Sequence, residues 1–560
     1  MCESWILRQV WISLCVCGLL CLPACQRTTT SPPVIRADDS ESGAGGAKTP
    51  DQSPRDASDD FFDNGVIPQL KIELKESQAK KLREDARRYV KCKLIETLAD
   101  GETTYTDVAI KLKGAAGSFR EFDDRPAFTL NMHKHEKDQT FHAMEKFHLN
   151  NSVQDESYLS EWLCSDIARD AKVPATRVTH ARVWMNDRDL GLYVLKEGFD
   201  RPFLKRHFTD ASGNFYDGGF VQDIDVDLEK DSGNGPDDHS DLRTLQAACL
   251  ELDPKKRWPA IEERLDVDAF VSFMALELMT CHWDGYTPSK NNYRIYFAPP
   301  SGKARFLPHG MDQMFGDPGT PILEYFEPMV VNAVMHNPEW RKRYRERVSE
   351  LLPLFEPQRL HDKLDTLLAR LQPVVAAMGE EFVNAHADRV RELKERIAAR
   401  EPNLREQLQN GDPTPLEFEG DKPIELADWF PAQETDDTKV EEVEIDGQKR
   451  YSIQVGDSGQ CVASWRRKVL LAKGRYRLES RMRTESVEPR EDEQGTGAGL
   501  RISGGKHDNK LAGDSDWQTI SHEFEVLEDV RDVIVVAELR ATRGRLWLEP
   551  ISRLVRLAPE

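Results

Sequence analysis

The sequence predicts an α+β region followed by an all-β domain, a sandwich of jelly-roll type, at the carboxyl end. Between residues 66 and 411, segments that alternate apolar and polar residues are interspersed with segments of helical spacing. Beyond residue 418 the pattern changes to short alternating strands separated by turns, which is typical of a sandwich. The stretch QNGDPTP, rich in turn-forming residues, lies between the two regions and predicts a domain boundary.

The elements of the first region follow from these two periods in order along the chain. Alternation predicts strands at VIPQLKIEL, VKCKLIETL, DGETTYTDVAIKLKG, AFTLNMHKH, KFHLNNS, THARVWMNDRDLGLYVLKEGF (a hairpin), NNYRIYF and ARFLPHG. Helical spacing predicts helices at ESQAKKLREDARRYV and SYLSEWLCSDIARDA. The segment DAFVSFMALELMTCHW is predicted to be a buried helix from its apolar composition, and residues 336–411 are predicted to be helical and charged. In the second region, 418–560, strands are predicted at KRYSIQVGD, ASWRRKVLLAKGRYRLESRMRT, GAGLRISGG, WQTISHEFEV, VIVVAELRA and GRLWLEP.

The amino terminus predicts export. The apolar run WISLCVCGLLCLPAC is too short to span a bilayer comfortably and is typical of a signal-peptide core, here residues 1–25. Its end resembles a bacterial lipobox, so Cys25 is expected to carry a lipid that anchors the protein to a membrane. A plain secretory signal and an uncleaved apolar terminus are the alternatives. Residues 26–60 are polar and predict a disordered linker.

Size, charge and cysteine usage narrow the class of protein. A chain of 560 residues is too long for one hydrophobic core, so several domains are expected. The net charge of −22 argues against a nucleic-acid partner, because binding a phosphate backbone requires a basic surface. The cysteines contain no CxxC pair, which argues against a zinc site, and those beyond the leader are interpreted as buried apolar residues.

One group of polar residues is arranged in the order that phosphoryl transfer needs. Asp284 in HWDGYTPSKNNYRIY precedes Asn292, and Asp312 follows at the end of the next predicted strand. The reaction needs a carboxylate near the attacking hydroxyl and oxygen ligands for Mg²⁺, which takes only one or two protein carboxylates. Asp284 is the candidate for the first role, and Asn292 and Asp312 for the second. A solvated turn, capped by Asp284, would look similar.

Six stretches in this order resemble the CotH family, the spore-coat-protein-H kinases. They are IKLKGAAGSFREFDDRPAFTLNM, KFHLNNSVQDESYL, RVWMNDRDLGLYVLKEGFDRPFLKRHF, GNFYDGG, HWDGYTPSKNNYRIY and FLPHGMDQMFG. The resemblance implies an atypical kinase-like domain over residues 61–411, with a core at 66–320 and a helical extension at 336–411. It further implies transfer of phosphate from ATP to proteins with Mg²⁺ or Mn²⁺. It also implies that Asp284 is catalytic and that Asn292 and Asp312 bind the metal.

The same resemblance suggests the residues that hold the phosphates. Lys113 leads into a loop with Ser118 and Arg120, where the family has a basic–Gly pair and then a Ser/Arg stretch. Backbone N–H groups of such a loop can cradle phosphate oxygens, with Lys113 as a point charge. Arg125 stands where the family usually has Lys, and Glu197 matches a family Glu that would orient a cation or a metal-bound water. Otherwise Lys113 is an exposed strand residue and Glu197 a charge at a helix amino terminus.

Two functions are compatible with this sequence. The first is an exported, lipid-anchored kinase of the CotH type that phosphorylates a protein hydroxyl. The second is a non-catalytic surface or envelope protein that uses the same scaffold for adhesion or assembly. The sandwich resembles carbohydrate-binding modules, and Trp465, Trp517 and Trp547 would suit glycan binding if they are exposed on one face. Tryptophan buried in a sandwich core is the commoner arrangement.

Overall fold

The computed structural model describes residues 55–558 except 64, 100, 116, 252, 325, 421, 436, 446, 491–496 and 506–508. The predicted signal peptide, Cys25 and the linker up to residue 54 lie outside the described residues. The chain divides into two compact units: the first comprises the residues up to Ile322, Glu327–Val330 and Lys342–Leu408, and the second Leu323–Phe326, Val331–Arg341 and the residues from Gln409 onward. No described helix is long and apolar enough to cross a bilayer.

The described chain alternates strands and helices up to residue 410 and is then built of strands. In order, the elements of the first part are α1 (Ala57–Asp63), β1 (Gln69–Glu73), α2 (Glu76–Glu84), β2 (Val90–Leu98), β3 (Gly101–Lys113), β4 (Ala127–Asn131), β5 (Lys146–Asn150), α3 (Ser160–Asp170), β6 (Val178–Met185), β7 (Arg188–Glu197), α4 (Arg201–His207), β8 (Phe215–Asp217), β9 (Lys230–Ser232), α5 (Ser240–Leu250), α6 (Pro254–Arg264), α7 (Val267–Met279), α8 (Tyr286–Ser289), β10 (Tyr293–Ala298), β11 (Lys303–Pro308), α9 (Met329–Met335), α10 (Pro338–Leu351), a 3-10 helix (Leu352–Phe355), α11 (Pro357–Ala376) and α12 (Glu380–Asn410).

Strands β1 to β7 form a closed barrel in the order β1-β2-β3-β4-β5-β7-β6. Successive side chains of a strand point to opposite faces, so the apolar residues at every second position fill the interior. In β4, for example, Phe128 and Leu130 are fully buried in the core, and Thr129 between them faces outward. The outward residues of β3, β4, β5 and β7 therefore lie side by side on one outer surface of the barrel.

Helix α1 packs against the barrel, so the ordered structure starts before residue 61. The sequence predicted a start at residue 61. Phe61 and Phe62 are buried in the barrel core. The guanidinium of Arg177 lies 4.7 Å from the centroid of the Phe62 ring and donates to Asp59 at 2.6 Å. The apolar pair thus provides the burial that this short helix needs, because a helix of two turns is not stable alone.

A second sheet and one apolar helix position the segments around Asp284 and Asp312. The sheet has the order β11-β10-β8-β9. In the β10–β11 hairpin Tyr293 lies opposite Pro308, which brings the residues just before β10 next to those just after β11. Nearly every side chain of α7 is buried, as its apolar composition predicted, and α7 leads directly into the Asp284 segment.

The β-rich carboxyl region predicted from the sequence is present in the second unit. Its strands are β12 (Ile424–Leu426), β13 (Phe430–Gln433), β14 (Lys439–Ile445), β15 (Gln448–Gln454), β16 (Cys461–Pro489), β17 (Gly497–Ile502), β18 (Gly513–Leu548) and β19 (Ser552–Leu557). They form a sheet of order β12-β19-β16-β18-β15-β14, with β13 on β16 and β17 on β18. The long strands β16 and β18 pair with Cys461 opposite Ala541 and Trp465 opposite Ala537.

The structure shows how exposed the three tryptophans are and whether the cysteines are buried. Trp465 is 3% exposed and stacks on Tyr451, and Trp547 is 6% exposed, so neither offers an open face to a sugar. Trp517 is half-buried, with the guanidinium of Arg450 5.1 Å from the centroid of its ring. The cysteines of the described chain are buried free thiols, which confirms their interpretation as apolar residues.

Candidate active site

The carboxylate of Asp284 is held by two amides that follow it in the same segment. Asn291 Nδ2 donates to Oδ1 at 2.9 Å, and Asn292 Nδ2 donates to Oδ2 at 2.7 Å. Burial raises the pKa of Asp284, and the two amide donors oppose this only in part. The turn closure that polar residues favour is therefore present. It fixes both carboxylate oxygens, as a group that must orient a proton requires.

Asn292 also contacts the segment that carries Asp312. Its carbonyl oxygen accepts a hydrogen bond of 3.0 Å from His309 N, and a methyl group at Gly310 would lie 2.4 Å from its Oδ1. Gly310 has a φ of +60°, in the left-handed region that favours glycine. Asp312 follows two residues later. The structure thus brings Asp284, Asn292 and Asp312 into one neighbourhood, with Asn292 as the link.

The outer surface of the barrel supplies cations to the same neighbourhood. Glu161, near the start of α3, accepts from Lys196 Nζ at 2.5 Å and from Asn150 Nδ2 at 2.6 Å. Asn150 Oδ1 accepts in turn from Lys113 Nζ. Lys196 Nζ lies 3.3 Å from His309 Nδ1, which joins this network to the Asp312 segment. We call these residues, Lys113, Asn150, Glu161 and Lys196, the Glu161 cluster.

The charged groups of this neighbourhood shift one another's pKa values. Burial and the negative charge of Glu161 raise the pKa of Asp312 to about 7, against the attraction of Lys113. Burial lowers the pKa of Lys113 to about 8, and Glu161 opposes that shift. Burial alone would raise the pKa of Glu161, but Lys196 and Lys113 outweigh it and hold that pKa below its ordinary value. Burial also keeps His309 neutral, with a pKa well below its ordinary value.

The donor atoms suit a divalent cation that completes its coordination with ligands from outside the protein. Among the described residues no three His, Cys, Asp or Glu side chains form a metal-binding group. Asp312 and Asn292 offer oxygen donors, and Mg²⁺ characteristically takes one or two carboxylates and fills its shell with phosphate oxygens and water. The residues present therefore fit a metal that is bound together with a phosphate ligand.

Glu197, predicted to act on the phosphate side, lies in a different cluster. It is fully buried and pairs with Arg177 at 2.9 Å and with Arg206. Burial would raise the pKa of Glu197, but Arg206 and Arg177 outweigh it and bring that pKa to about 2. We call Arg177, Glu197 and Arg206 the Glu197 cluster. Since Lys196 and Glu197 are neighbours in β7, their side chains point to opposite faces, and only Lys196 faces the candidate site.

Arg125 is also committed elsewhere. Its guanidinium donates to the carbonyl oxygens of Leu190, at 3.0 Å, and Leu192, and to Tyr158 Oη at 2.8 Å. It lies 5.1 Å from the centroid of the Tyr193 ring. These contacts fasten the start of β4 to β7, so the structure gives Arg125 a structural role in place of the predicted phosphate contact.

Ser118 and Arg120 lie in the loop after β3, which is closed on itself. Ser118 Oγ accepts from Ala115 N at 3.0 Å, and Arg120 donates to the carbonyl oxygen of Gly117 at 3.0 Å. Asn151, next to Asn150 of the Glu161 cluster, donates to the Ser118 carbonyl oxygen at 3.2 Å. The loop therefore borders the candidate site. Of the predicted phosphate-binding residues, Lys113 alone belongs to the Glu161 cluster.

Four residues of the neighbourhood were missed by the sequence reasoning, namely Asn150, Glu161, Lys196 and His309. Two of them carried a usable signal. Lys196 lies in the apolar strand LYVLKEGF and Glu161 in the apolar helix SYLSEWLC, and a charged residue within a buried apolar segment needs a partner. Asn150 and His309 carried no such signal, because both lie at the ends of strands where polar residues are ordinary.

Comparison with known proteins shows which family this region of the chain is similar to. The family described as CotH kinase protein matches residues 110–404, more than half of the 560-residue chain. The chain is 22% identical to the inner spore coat protein H of Bacillus subtilis (strain 168) over 262 residues, which are 42% of this chain and 70% of that protein. It is 26% identical over 183 residues to Invasin CotH7 of Rhizopus delemar, covering 30% of this chain and 31% of the invasin.

Two further similarities extend these. Invasin CotH2 of Rhizopus delemar is 24% identical over 281 residues, or 46% of each chain. The chain thus spans a third to a half of the invasins' length. A solved structure, TmCBM61 in complex with beta-1,4-galactotriose, overlaps 23% of this chain and 88% of its own, at 15% identity and a TM-score of 0.17. The family match contains the Glu161 cluster together with Asp284, Asn292 and Asp312. The chain belongs to the CotH kinase protein family.

Proposed function

We propose that the protein is an exported kinase of the CotH type that transfers the γ-phosphate of ATP to a hydroxyl of a protein, with Mg²⁺ or Mn²⁺ as cofactor. The observation that carries the proposal is the contact of Asn292 with both aspartate segments. Through it the proton-orienting carboxylate of Asp284 and the half-buried carboxylate of Asp312 share one neighbourhood. Phosphoryl transfer depends on positioning and charge neutralisation, and both groups serve those ends.

Each residue has a distinct role in this proposal. Asp284, with both oxygens fixed, orients the acceptor hydroxyl and receives its proton. Asp312 and Asn292 hold the metal, which supplies positive charge to the phosphate oxygens when bound. Because desolvation and the negative charge of Glu161 raise the pKa of Asp312 to about 7, its carboxylate gains from a neighbouring cation.

The Glu161 cluster binds the phosphates from the opposite side. Lys196 pairs directly with Glu161, and Lys113 is linked to it through Asn150, so the cluster has two ammonium groups for one carboxylate and carries one excess positive charge. A lysine held by a helix glutamate, beside a metal-binding aspartate, is also the arrangement of protein kinases. On this basis we propose that the first unit has a kinase-like fold, with α3 as the helix that supports the phosphate-binding lysines.

Export and anchoring follow from the amino terminus. We propose that the predicted signal peptide directs export and that a lipid on Cys25 anchors the protein to a membrane. The names of the relatives, a spore coat protein and invasins, support a location outside the cytoplasm.

A second candidate function rests on the same names. Coat and invasin proteins are surface proteins, so the chain would serve adhesion or assembly without catalysis, and the second unit would bind a glycan. Of the three tryptophans predicted for sugar stacking, Trp517 is the one with a partly open face. A failure of ATP and Mg²⁺ to raise the melting temperature, together with retention on a glycan array, would favour this function over the kinase.

The kinase proposal is tested with purified protein, labelled ATP and each metal in turn. We expect Asp312→Ala to lower label transfer by several orders of magnitude, because electrostatic stabilisation dominates this chemistry. Asp317→Asn is the matched control, since Asp317 is an exposed aspartate of the same segment that caps Gly319 N at 2.8 Å. Equal transfer by wild type and Asp312→Ala would exclude the assignment.

A further inference from the structure

Glu277 is a buried carboxylate in the apolar helix α7. It is 2% exposed, in a helix whose neighbouring side chains are almost all apolar and buried. A carboxylate in such a place destabilises the fold relative to an apolar residue of similar size unless hydrogen bonds compensate it. Packing alone therefore does not account for Glu277.

The three hydrogen bonds that Glu277 accepts all come from the turn just after Asp284. Tyr286 N donates to Oε1 at 2.9 Å, while Thr287 donates to Oε2 through N at 2.9 Å and through Oγ1 at 2.6 Å. Tyr286 and Thr287 begin α8, so Glu277, from the preceding helix, caps the start of that short helix. Burial still raises the pKa of Glu277 to about 7.

The contact between Glu277 and the turn is close enough to require glycine. A methyl group at Gly285 would lie 2.6 Å from Glu277 Oε1 and 2.9 Å from His282 Nδ1. Among the described residues, the ion-pair contact of Glu277 is with His282, at 3.8 Å, and burial keeps that imidazole neutral. In the described part of the chain, the carboxylate is thus matched to two backbone N–H groups and one hydroxyl of the turn and to no charged cation.

We propose that Glu277 is the positioning residue for Asp284: it fixes the turn 285–287 so that the Asp284 carboxylate faces the acceptor hydroxyl. This inference rests on the proposed kinase function. Asp284 immediately precedes the turn, and its own carboxylate is bound from the other direction by Asn291 and Asn292. The segment is therefore fixed at both ends, by α7 on one and by the start of β10 on the other.

Asp200 provides a matched control within the same unit. It is likewise buried, at 9% exposure, and burial likewise raises its pKa to about 7. It also accepts three backbone hydrogen bonds, each of 3.0 Å, from Glu145, Lys146 and Phe203. Its donors belong to α4 and β5, away from the Asp284 turn. Replacing either carboxylate with an amide puts an N–H donor against backbone N–H groups, so both variants lose comparable stability.

The experiment compares Glu277→Gln with Asp200→Asn in the full chain, measuring melting temperature, kcat and the KM for ATP. We expect similar losses of melting temperature. We expect kcat to fall roughly tenfold to a hundredfold in Glu277→Gln alone, with KM unchanged, since a small misplacement of a catalytic group has that cost. Thr287→Val, which removes one of the three donors, should lower kcat by a few fold without disturbing α7 and serves if Glu277→Gln does not fold.

A double-mutant comparison separates positioning from general damage. If Glu277 acts through Asp284, then adding Glu277→Gln to Asp284→Asn leaves the residual kcat unchanged. Equal fractional losses in the two backgrounds, or an equal loss of kcat in Asp200→Asn, would overturn the inference while leaving the kinase function intact. Absence of transfer by the wild-type chain, in contrast, would overturn both.

Discussion

Two charged clusters lie on opposite faces of strand β7, and they are built differently. The Glu197 cluster pairs one carboxylate with two guanidiniums, and Arg177 is further bound by Asp59 and by Ser58 Oγ. In the Glu161 cluster the carboxylate pairs directly with one ammonium, that of Lys196, and is linked to the second, that of Lys113, through Asn150. The cluster lies beside Asp312, whose pKa is raised. The charges of the Glu197 cluster are paired within the protein. The Glu161 cluster has excess positive charge next to Asp312, a carboxylate that favours a cation.

The choice of cation follows the difference in purpose. Guanidinium groups bind carboxylates through a rigid fork of donors and remain charged when buried. The Glu197 cluster uses two of them to fasten α1 and α4 to the barrel. Ammonium groups are compact and can exchange one partner for another, as a site that binds and releases phosphate requires. A buried ion pair therefore does not by itself identify a functional site. The other groups that its charged side chains contact show whether it is structural or functional.

The largest effect that this comparison predicts is on phosphate transfer. Lys196→Met removes a cation of the Glu161 cluster, and we expect kcat/KM for ATP to fall about a hundredfold or more, because buried charges facing a phosphate are worth several kcal/mol. Arg206→Met removes a cation of the Glu197 cluster and should leave kcat/KM within about twofold of wild type at a temperature where both are folded. Similar losses in the two variants would abolish the distinction between the clusters.

The second effect is on stability, and here we expect the large effect in the Glu197 cluster. Arg177→Met leaves the fully buried Glu197 with one partner, and we expect the free energy of unfolding to fall by about 3–5 kcal/mol, as when other buried pairs are broken. Denaturant titration followed by tryptophan fluorescence measures it. Arg389→Met, which removes an exposed arginine paired with Glu156, is the control and should leave the midpoint unchanged. A normal midpoint for Arg177→Met would show that the Glu197 cluster is not structural.

The pH dependence of stability sharpens the same point. The pKa of Glu197 falls from an ordinary 4.5 to about 2 on folding. Its stabilising contribution is thus complete above pH 4.5 and is lost as the pH falls from there toward 2, because the unfolded chain takes up the proton first. The unfolding free energy of wild type minus that of Glu197→Gln should shrink by roughly 3 kcal/mol over that range. A pH-independent difference would contradict the low pKa.

Features of the fold and of the candidate site could be predicted from the sequence where the interacting residues are close together along the chain. Asp284 and Asn292 lie just before the β10–β11 hairpin and Asp312 just after it, so local order along the chain predicted their neighbourhood. The six family-like stretches predicted Lys113. The β6–β7 hairpin followed from alternation and a turn signal, and the buried helix α7 followed from its apolar composition.

The errors came from register and from contacts distant in sequence. Glu197 was chosen in place of its neighbour Lys196, and a shift of one residue in a strand exchanges one face for the other. The carboxylate that Lys196 binds, Glu161, lies 35 residues earlier on a helix. Arg125 was assigned by its position in a motif, although its guanidinium reaches backbone carbonyls of β7, 65 residues away. Neither partner can be identified without knowing which strands are adjacent.

The smallest predicted effect concerns the edge of the Glu197 cluster, where α1 joins it. Ser58 is 2% exposed, and its Oγ accepts from Arg177 Nη2 at 2.5 Å. Ser58→Ala removes that acceptor and also the hydrogen bond that Ser58 Oγ donates to Asp56, while Glu197 and Asp59 continue to bind the guanidinium. We therefore expect a loss of about 2 kcal/mol in the free energy of unfolding, the usual net value of two hydrogen bonds, with phosphate transfer unchanged.

Ser165→Ala is the control for Ser58→Ala. Ser165 is also buried and donates one hydrogen bond of 2.6 Å, to the carbonyl oxygen of Thr176, outside the Glu197 cluster. Ser58→Ala should cost more than Ser165→Ala, because it removes two hydrogen bonds and Ser165→Ala removes one. In an Arg177→Met background, however, Ser58→Ala should cost about half as much as in wild type, since only its hydrogen bond to Asp56 is left to lose, whereas Ser165→Ala keeps its full cost. If both serines keep their full cost in that background, α1 is held by its phenylalanines and the Glu197 cluster ends at Arg177.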